Sequence, residues 1–148
     1  MAPRRHAAAG ILGLITIIAF WSATVATKLL GSPAQIAQLK SLILWGMAVL
    51  IPAMATAGAS GAALGKKHKG PLITRKSRRM KIIAANGLLI LLPSAVFLAM
   101  RAASGQFDAI FYGVQTIELI AGATNITLLA ANLRDGLAMA ARRRPSPS

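Results

Sequence analysis

Four apolar stretches, each long enough to cross a bilayer, constrain this chain more than any other feature. They run over 7–30, 41–64, 82–100 and 110–133. Each is about 19 to 24 residues, and ~20 helical residues rising ~1.5 Å apiece span a hydrocarbon core of ~30 Å. Membrane strands need only about 10 residues of alternating polarity, and these runs do not alternate. The expectation is an all-α integral membrane protein with four transmembrane helices in one compact bundle. That domain covers 1–141, and 142–148 (RRRPSPS) reads as a disordered basic tail.

Composition agrees. Hydrophobic residues make up 55% of the 148 and charged residues 14%, against about 25% charged in ordinary soluble chains. The net charge of +14 raises nucleic acid as a partner, because basic chains neutralise phosphates. Here the cations lie in short blocks between apolar runs and aromatics are only 5%, so no stacking platform accompanies them. No nucleic-acid partner is expected.

The cations also give an orientation. Fourteen of the seventeen Lys and Arg lie in the N-terminus, in 66–81 (KKHKGPLITRKSRRMK) and from Arg134 onward; only Lys28, Lys40 and Arg101 lie opposite. The positive-inside rule then places both termini and the 66–81 loop in the cytoplasm. The setting it suggests is a bacterial inner (plasma) membrane. Arg4-Arg5-His6 before an apolar run resembles the start of a secretory signal. The run continues to Leu30 without a convincing small-residue cleavage site, so the helix is read as retained.

The fourth span carries Gln115, Glu118, Gly122, Asn125, Leu129 and Asn132, stepping by 3, 4, 3, 4 and 3. That spacing keeps them on one helix face, the seam turned towards neighbours. Glu118 is one of only three acidic residues. A carboxylate inside a bilayer costs about 2.5–3.5 kcal/mol on insertion scales, so it is paired, hydrated or protonated. Glu118, Gln115 and Asn125 are the candidate ligand- or ion-binding residues. The plainer reading of the same seam is an interhelical hydrogen-bond clamp.

Lys28, near the outer end of the first helix, is the expected partner of Glu118; Lys40 reads as a loop residue snorkelling to headgroups. Gly61 and Gly65 form a small-xxx-small element and, with Gly122, are candidate helix-packing positions. Pro52 and Pro93 each remove a backbone hydrogen bond and are expected to kink their helices.

Several chemistries lack their residues. There is no cysteine, and the two histidines, His6 and His68, lie outside all four spans, so bis-histidine haem has no ligands. No metal or other cofactor is implied. No Ser-His-Asp set, phosphate-cradling glycine loop or metalloprotease helix occurs, and no enzyme activity is expected. Size and span number resemble small four-helix multidrug exporters. Their marker is a first-helix glutamate, and the first helix here has no acidic residue.

Two function classes follow. One is a small polytopic membrane protein whose polar site on the fourth helix handles a small ligand, ion or proton, as a homo-oligomer. The other is an accessory or assembly subunit whose seam packs against a membrane-protein partner. In either case the eight cations in 66–81 are expected to attract anionic lipid headgroups.

Overall fold

A computed structural model describes residues 2–67 and 70–142, the side chains of 2–6, 62, 64, 65 and 67 excepted. The chain forms α1 (Ala2–Leu30), α2 (Pro33–Lys67), α3 (Pro71–Asn86), a π-helical segment (Gly87–Leu91), α4 (Leu92–Ala103) and α5 (Ala109–Arg142). No strand occurs among the described residues. Four helical spans, with α3, the π segment and α4 counted as one, are long and apolar enough to cross a membrane.

The helices run beyond the apolar stretches, α1 beginning at Ala2 and α5 continuing to Arg142, and at two connectors the difference has a local cause. The connector expected over 31–40 shrinks to Gly31 and Ser32. Ser32 N–H donates to Gln35 Oε1 (2.8 Å) and Gln35 N–H donates to Ser32 Oγ (3.3 Å). This reciprocal box satisfies donors that a helix start leaves orphaned. Pro33, which reads as a turn residue, fits the first helical position because its missing N–H is not needed there. The second difference is the basic loop. Pro71 opens α3 after Gly70, so most of 66–81 is helical. Of the expected disordered tail 142–148, Arg142 instead ends α5, and 143–148 lie outside the described residues.

The two transmembrane prolines behave differently. Around Pro93 the helix adopts the π segment Gly87–Leu91 and re-forms as α4 with Pro93 in its first turn. A π turn removes the demand for the hydrogen bond that proline cannot donate. At Pro52 α2 continues as one helix, and Thr56 Oγ1 donates to the Pro52 carbonyl at 2.8 Å.

The bundle's order places the site. α1 packs on α2 and α5, while the α3–α4 rod packs on the other sides of α2 and α5. Among the described residues α2 and α5 do not pack against each other, so they lie across the bundle diagonal. One core cluster joins Ile17, Met47, Leu50, Ile83 and Leu129; a second joins Ile36, Leu98, Ala102 and Phe111. Large apolar side chains such as Ile15, Trp45, Leu89 and Ile120 point outward. A surface this apolar is suited to lipid rather than water.

Candidate functional site

Glu118 of α5 is bonded to Lys40 of α2, with Lys40 Nζ 2.5 Å from Glu118 Oε2. This corrects the expected Lys28 partner. Lys28 is exposed in the last turn of α1, where a cation also suits the negative end of the helix dipole. Lys40 faces inward because α2 starts at Pro33, which makes it a helical residue rather than a loop residue. Ile36, Lys40, Ile43, Met47 and Leu50 step by 4, 3, 4 and 3 and are all buried. Lys40 thus occupies a core position of an otherwise apolar stripe.

The two partners differ in access. The Lys40 side chain is 1% exposed and that of Glu118 is 11% exposed. Glu118 also lines a crevice of about 50 Å³ with Thr24, Trp21, Ile43, Met47, Gly122 and other apolar neighbours. Glu118 is the charged residue of that lining. Trp21 Nε1 donates to the Leu119 carbonyl at 2.9 Å, beside Glu118. Gly122 makes this seating possible, since a Cβ there would lie 3.1 Å from Trp21 Cδ1.

The other seam residues do not join this pair. Asn86 Nδ2 of α3 donates to Asn125 Oδ1 and to the Ala121 carbonyl, both at 2.8 Å. Asn125 Nδ2 in turn lies 3.4 Å from the Ile83 carbonyl, at the entry to the π segment. Asn125 is therefore engaged in an α3–α5 clamp. Gln115 is wholly buried, and both of its amide atoms lack a hydrogen-bond partner among the described residues.

Towards the other end of α5, Asp135 is bonded to Arg79 of α3 at 2.7 Å, while its sequence neighbour Arg134 is exposed. Asp108 caps α5 and pairs with Arg101. The Phe111 backbone N–H, and after it the Arg101 guanidinium, hold the Asp108 carboxyl below its usual range.

Close helix packing depends mainly on glycines that composition did not single out. A Cβ at Gly46 would fall 1.9 Å from Phe20 Cζ, and one at Gly13 would fall 2.6 Å from Met54 Sδ. Both glycines lie at the α1–α2 crossing. Gly61 is half-buried in α2, and the surroundings of Gly65 lie outside the described residues, as do His68 and the His6 side chain. Among the described residues no three His, Asp or Glu side chains come together as metal ligands.

Four helical spans long and apolar enough to cross a membrane, with an ion pair across their interior, are the features of a small multi-pass membrane protein. Comparisons with protein-family models, characterised proteins and solved structures found no match.

Proposed function

We propose that this protein handles a proton at the Lys40–Glu118 pair and couples its charge state to the packing of the bundle. The observation that carries the reading is the asymmetry of the pair. Lys40 is sealed at 1% exposure, whereas Glu118 borders the crevice.

Size discriminates between the possible cargoes. Organic-ligand pockets run to about 300–1,000 Å³, far above the 50 Å³ here. A water needs about 10–15 Å³ on this measure, so the crevice has room for roughly three or four waters. A metal cation would want about six oxygens, and the lining is mostly apolar. A proton fits the space and the chemistry.

Adding a proton to Glu118 removes the charge that balances Lys40. A buried ammonium without a counter-ion is strongly disfavoured. Release of the Lys40 proton would only restore the original proton count, so keeping the added proton requires the diagonal to open towards water. That opening changes the contacts of Trp21 and Gly122 next to Glu118. The next acidic residue along α5 is Asp135, seventeen residues and ~26 Å away. That gap favours a proton-responsive site over a proton wire within one chain. No catalytic role is assigned to any residue. The bias of Lys and Arg supports an orientation with both termini in the cytoplasm, and a bacterial inner membrane is the proposed setting.

The test uses the protein's own tryptophans. Trp21 borders the crevice, whereas Trp45 is 76% exposed on the outer face. In a Trp45→Phe background, Trp21 fluorescence in vesicles should show a pH transition that Glu118→Gln abolishes. Superimposable titrations of the two proteins sink the proposal.

A second reading, an accessory or self-assembling subunit, has one observation in its favour. Ile120, Ala123, Thr124, Thr127 and Leu128 line a shallow groove on the outer side of α5. Thr124 and Thr127 return their hydroxyls to their own helix, leaving a low surface on which another helix can lie close. The polar seam itself is turned inward, with Gln115, Asn125 and Asn132 all buried. A partner would therefore meet the groove rather than the seam. The mass in mild detergent, with and without Thr124→Leu, decides: a monomer in both leaves this reading without support.

A further inference from the structure

We infer that the end of the bundle where α3 begins holds a site for a phosphate-bearing anion, built from Lys76 and Arg79 of α3 against Asn132 and Gly136 of α5. The inference is independent of the Lys40–Glu118 reading.

Arg79 and Lys76 flank a single carboxylate, Asp135, which is buried and bonded to Arg79. That bond engages one Asp135 oxygen, and Lys76 faces the same carboxylate, so two cations against one anion leave an excess of one positive charge. Lys76 is half-buried, and its ammonium has no hydrogen-bond partner among the described residues. A cation withdrawn from water gains from an anion at close range, and Arg and Lys together are the usual phosphate pair.

The Lys76 Nζ rests on α5 at Gly136, 3.2 Å from where a Cβ would stand. Glycine thus leaves a shelf that holds the ammonium against the helix, instead of letting it extend into solvent as Arg75, Arg78 and Lys81 do.

Asn132 lies one turn before Asp135 and Gly136 on the same face of α5. It is 5% exposed, and neither atom of its amide has a partner among the described residues. Buried amides are nearly always hydrogen-bonded. An anion between α3 and α5 would accept from its Nδ2 while balancing Lys76. The charges facing this spot are Lys76 and Arg79 from α3 and Asp135 from α5, with Arg134 exposed beside it.

Such an anion has two sources, an anionic lipid headgroup or free phosphate. Thermal unfolding of the purified full chain in dodecylmaltoside separates them. Phosphatidylglycerol, phosphatidylcholine and inorganic phosphate are each titrated, and the half-saturating concentration is read from the rise in Tm. Phosphatidylglycerol alone raising Tm assigns the lipid, and phosphate also raising it assigns the free anion. No rise with either, or an equal rise with phosphatidylcholine, overturns the site.

Arg78→Gln sets the baseline for losing one exposed charge, about fivefold in half-saturation. Lys76→Gln should weaken binding at least threefold beyond that baseline. Gly136→Ala keeps every charge and disturbs only the shelf, so it should also weaken binding by threefold or more. If Lys76→Gln matches Arg78→Gln and Gly136→Ala matches the parent, attraction is diffuse and there is no site. Should Lys76→Gln fail to fold, Gly136→Ala alone decides by the same threshold.

Discussion

Lys40 and Glu118 meet across the diagonal of the bundle although α2 and α5 do not pack against each other. The contact is made entirely by side chains, one of them a lysine withdrawn almost fully from solvent. It ties together two helices whose backbones, among the described residues, stay apart on either side of the core. Breaking a buried pair leaves an uncompensated charge and costs about 3–5 kcal/mol, while replacing both partners by apolar groups is often neutral. Because the Glu118 side chain keeps 11% exposure, the lower end is expected. Lys40→Met and Glu118→Gln should each cost ~3 kcal/mol in detergent. The double variant should recover most of that loss, and Lys28→Met should change little. Additivity of the two single changes within about 0.5 kcal/mol would show that the side chains do not interact.

The α1–α2 crossing makes an independent prediction. Gly46→Ala places a methyl where Phe20 Cζ now lies, at 1.9 Å, and overpacking of this kind costs about 1–3 kcal/mol. Phe20→Leu in the same chain should restore most of the lost stability. Equal melting temperatures for Gly46→Ala and the parent would mean that the Phe20 ring does not press on Gly46.

These outcomes bear on what could be read from the sequence. The cores of the four spans were legible because twenty-residue apolar runs have few other uses. The inward face of α5 was legible too: Gln115, Gly122, Asn125, Leu129 and Asn132 are all buried, as their 3–4 spacing suggested. The partner of Glu118 was hidden by a helix boundary. Ser32-Pro33-Ala34-Gln35 carries both a turn signal and a capping box, and the structure uses the box. Starting α2 at Pro33 converts Lys40 from a connector residue into a core residue, and the stripe from Ile36 to Leu50 then becomes visible. Gly46 could not be found from spacing within one helix, because its reason is a ring on another.

Asp108 gives a pH dependence at the opposite end from Asp135. Its carboxyl is held below the usual range first by the Phe111 backbone N–H and then by Arg101. A lowered folded-state pKa contributes stability above the unfolded value, ~3.9, and that contribution is lost as pH falls through the lower folded value. Asp108→Asn should therefore lower Tm at pH 7, and the gap from the parent should narrow below about pH 4. A gap that stays constant down to acid pH would assign the effect to something other than the charge on Asp108.

Orientation is tested by reporter fusions. With fourteen of seventeen Lys and Arg at one end, fusions after Gly70 and at the C-terminus should read cytoplasmic, and fusions near Pro33 and Ser104 external. An external signal at Gly70 reverses the layout and moves Lys76 and Arg79 to the other face of the membrane.

Gln115 offers the sharpest test of which polar residues work for their place in the bundle. It lies one turn from Glu118 on the same α5 face, is wholly buried, and has no partner for either amide atom. Burying an amide without hydrogen bonds costs about 1–3 kcal/mol on mutational scales. Removing it in favour of an apolar side chain of similar size should then be neutral or stabilising. Gln115→Leu is expected to hold or raise Tm by a few degrees while leaving the Trp21 pH transition intact. Asn125→Leu breaks a satisfied contact with Asn86 and the Ile83 carbonyl, so it should lower Tm under the same conditions. A Gln115→Leu protein that melts well below the parent would show that the amide is in use in the membrane. The Lys40–Glu118 pair would then extend one turn further along α5, towards Phe111.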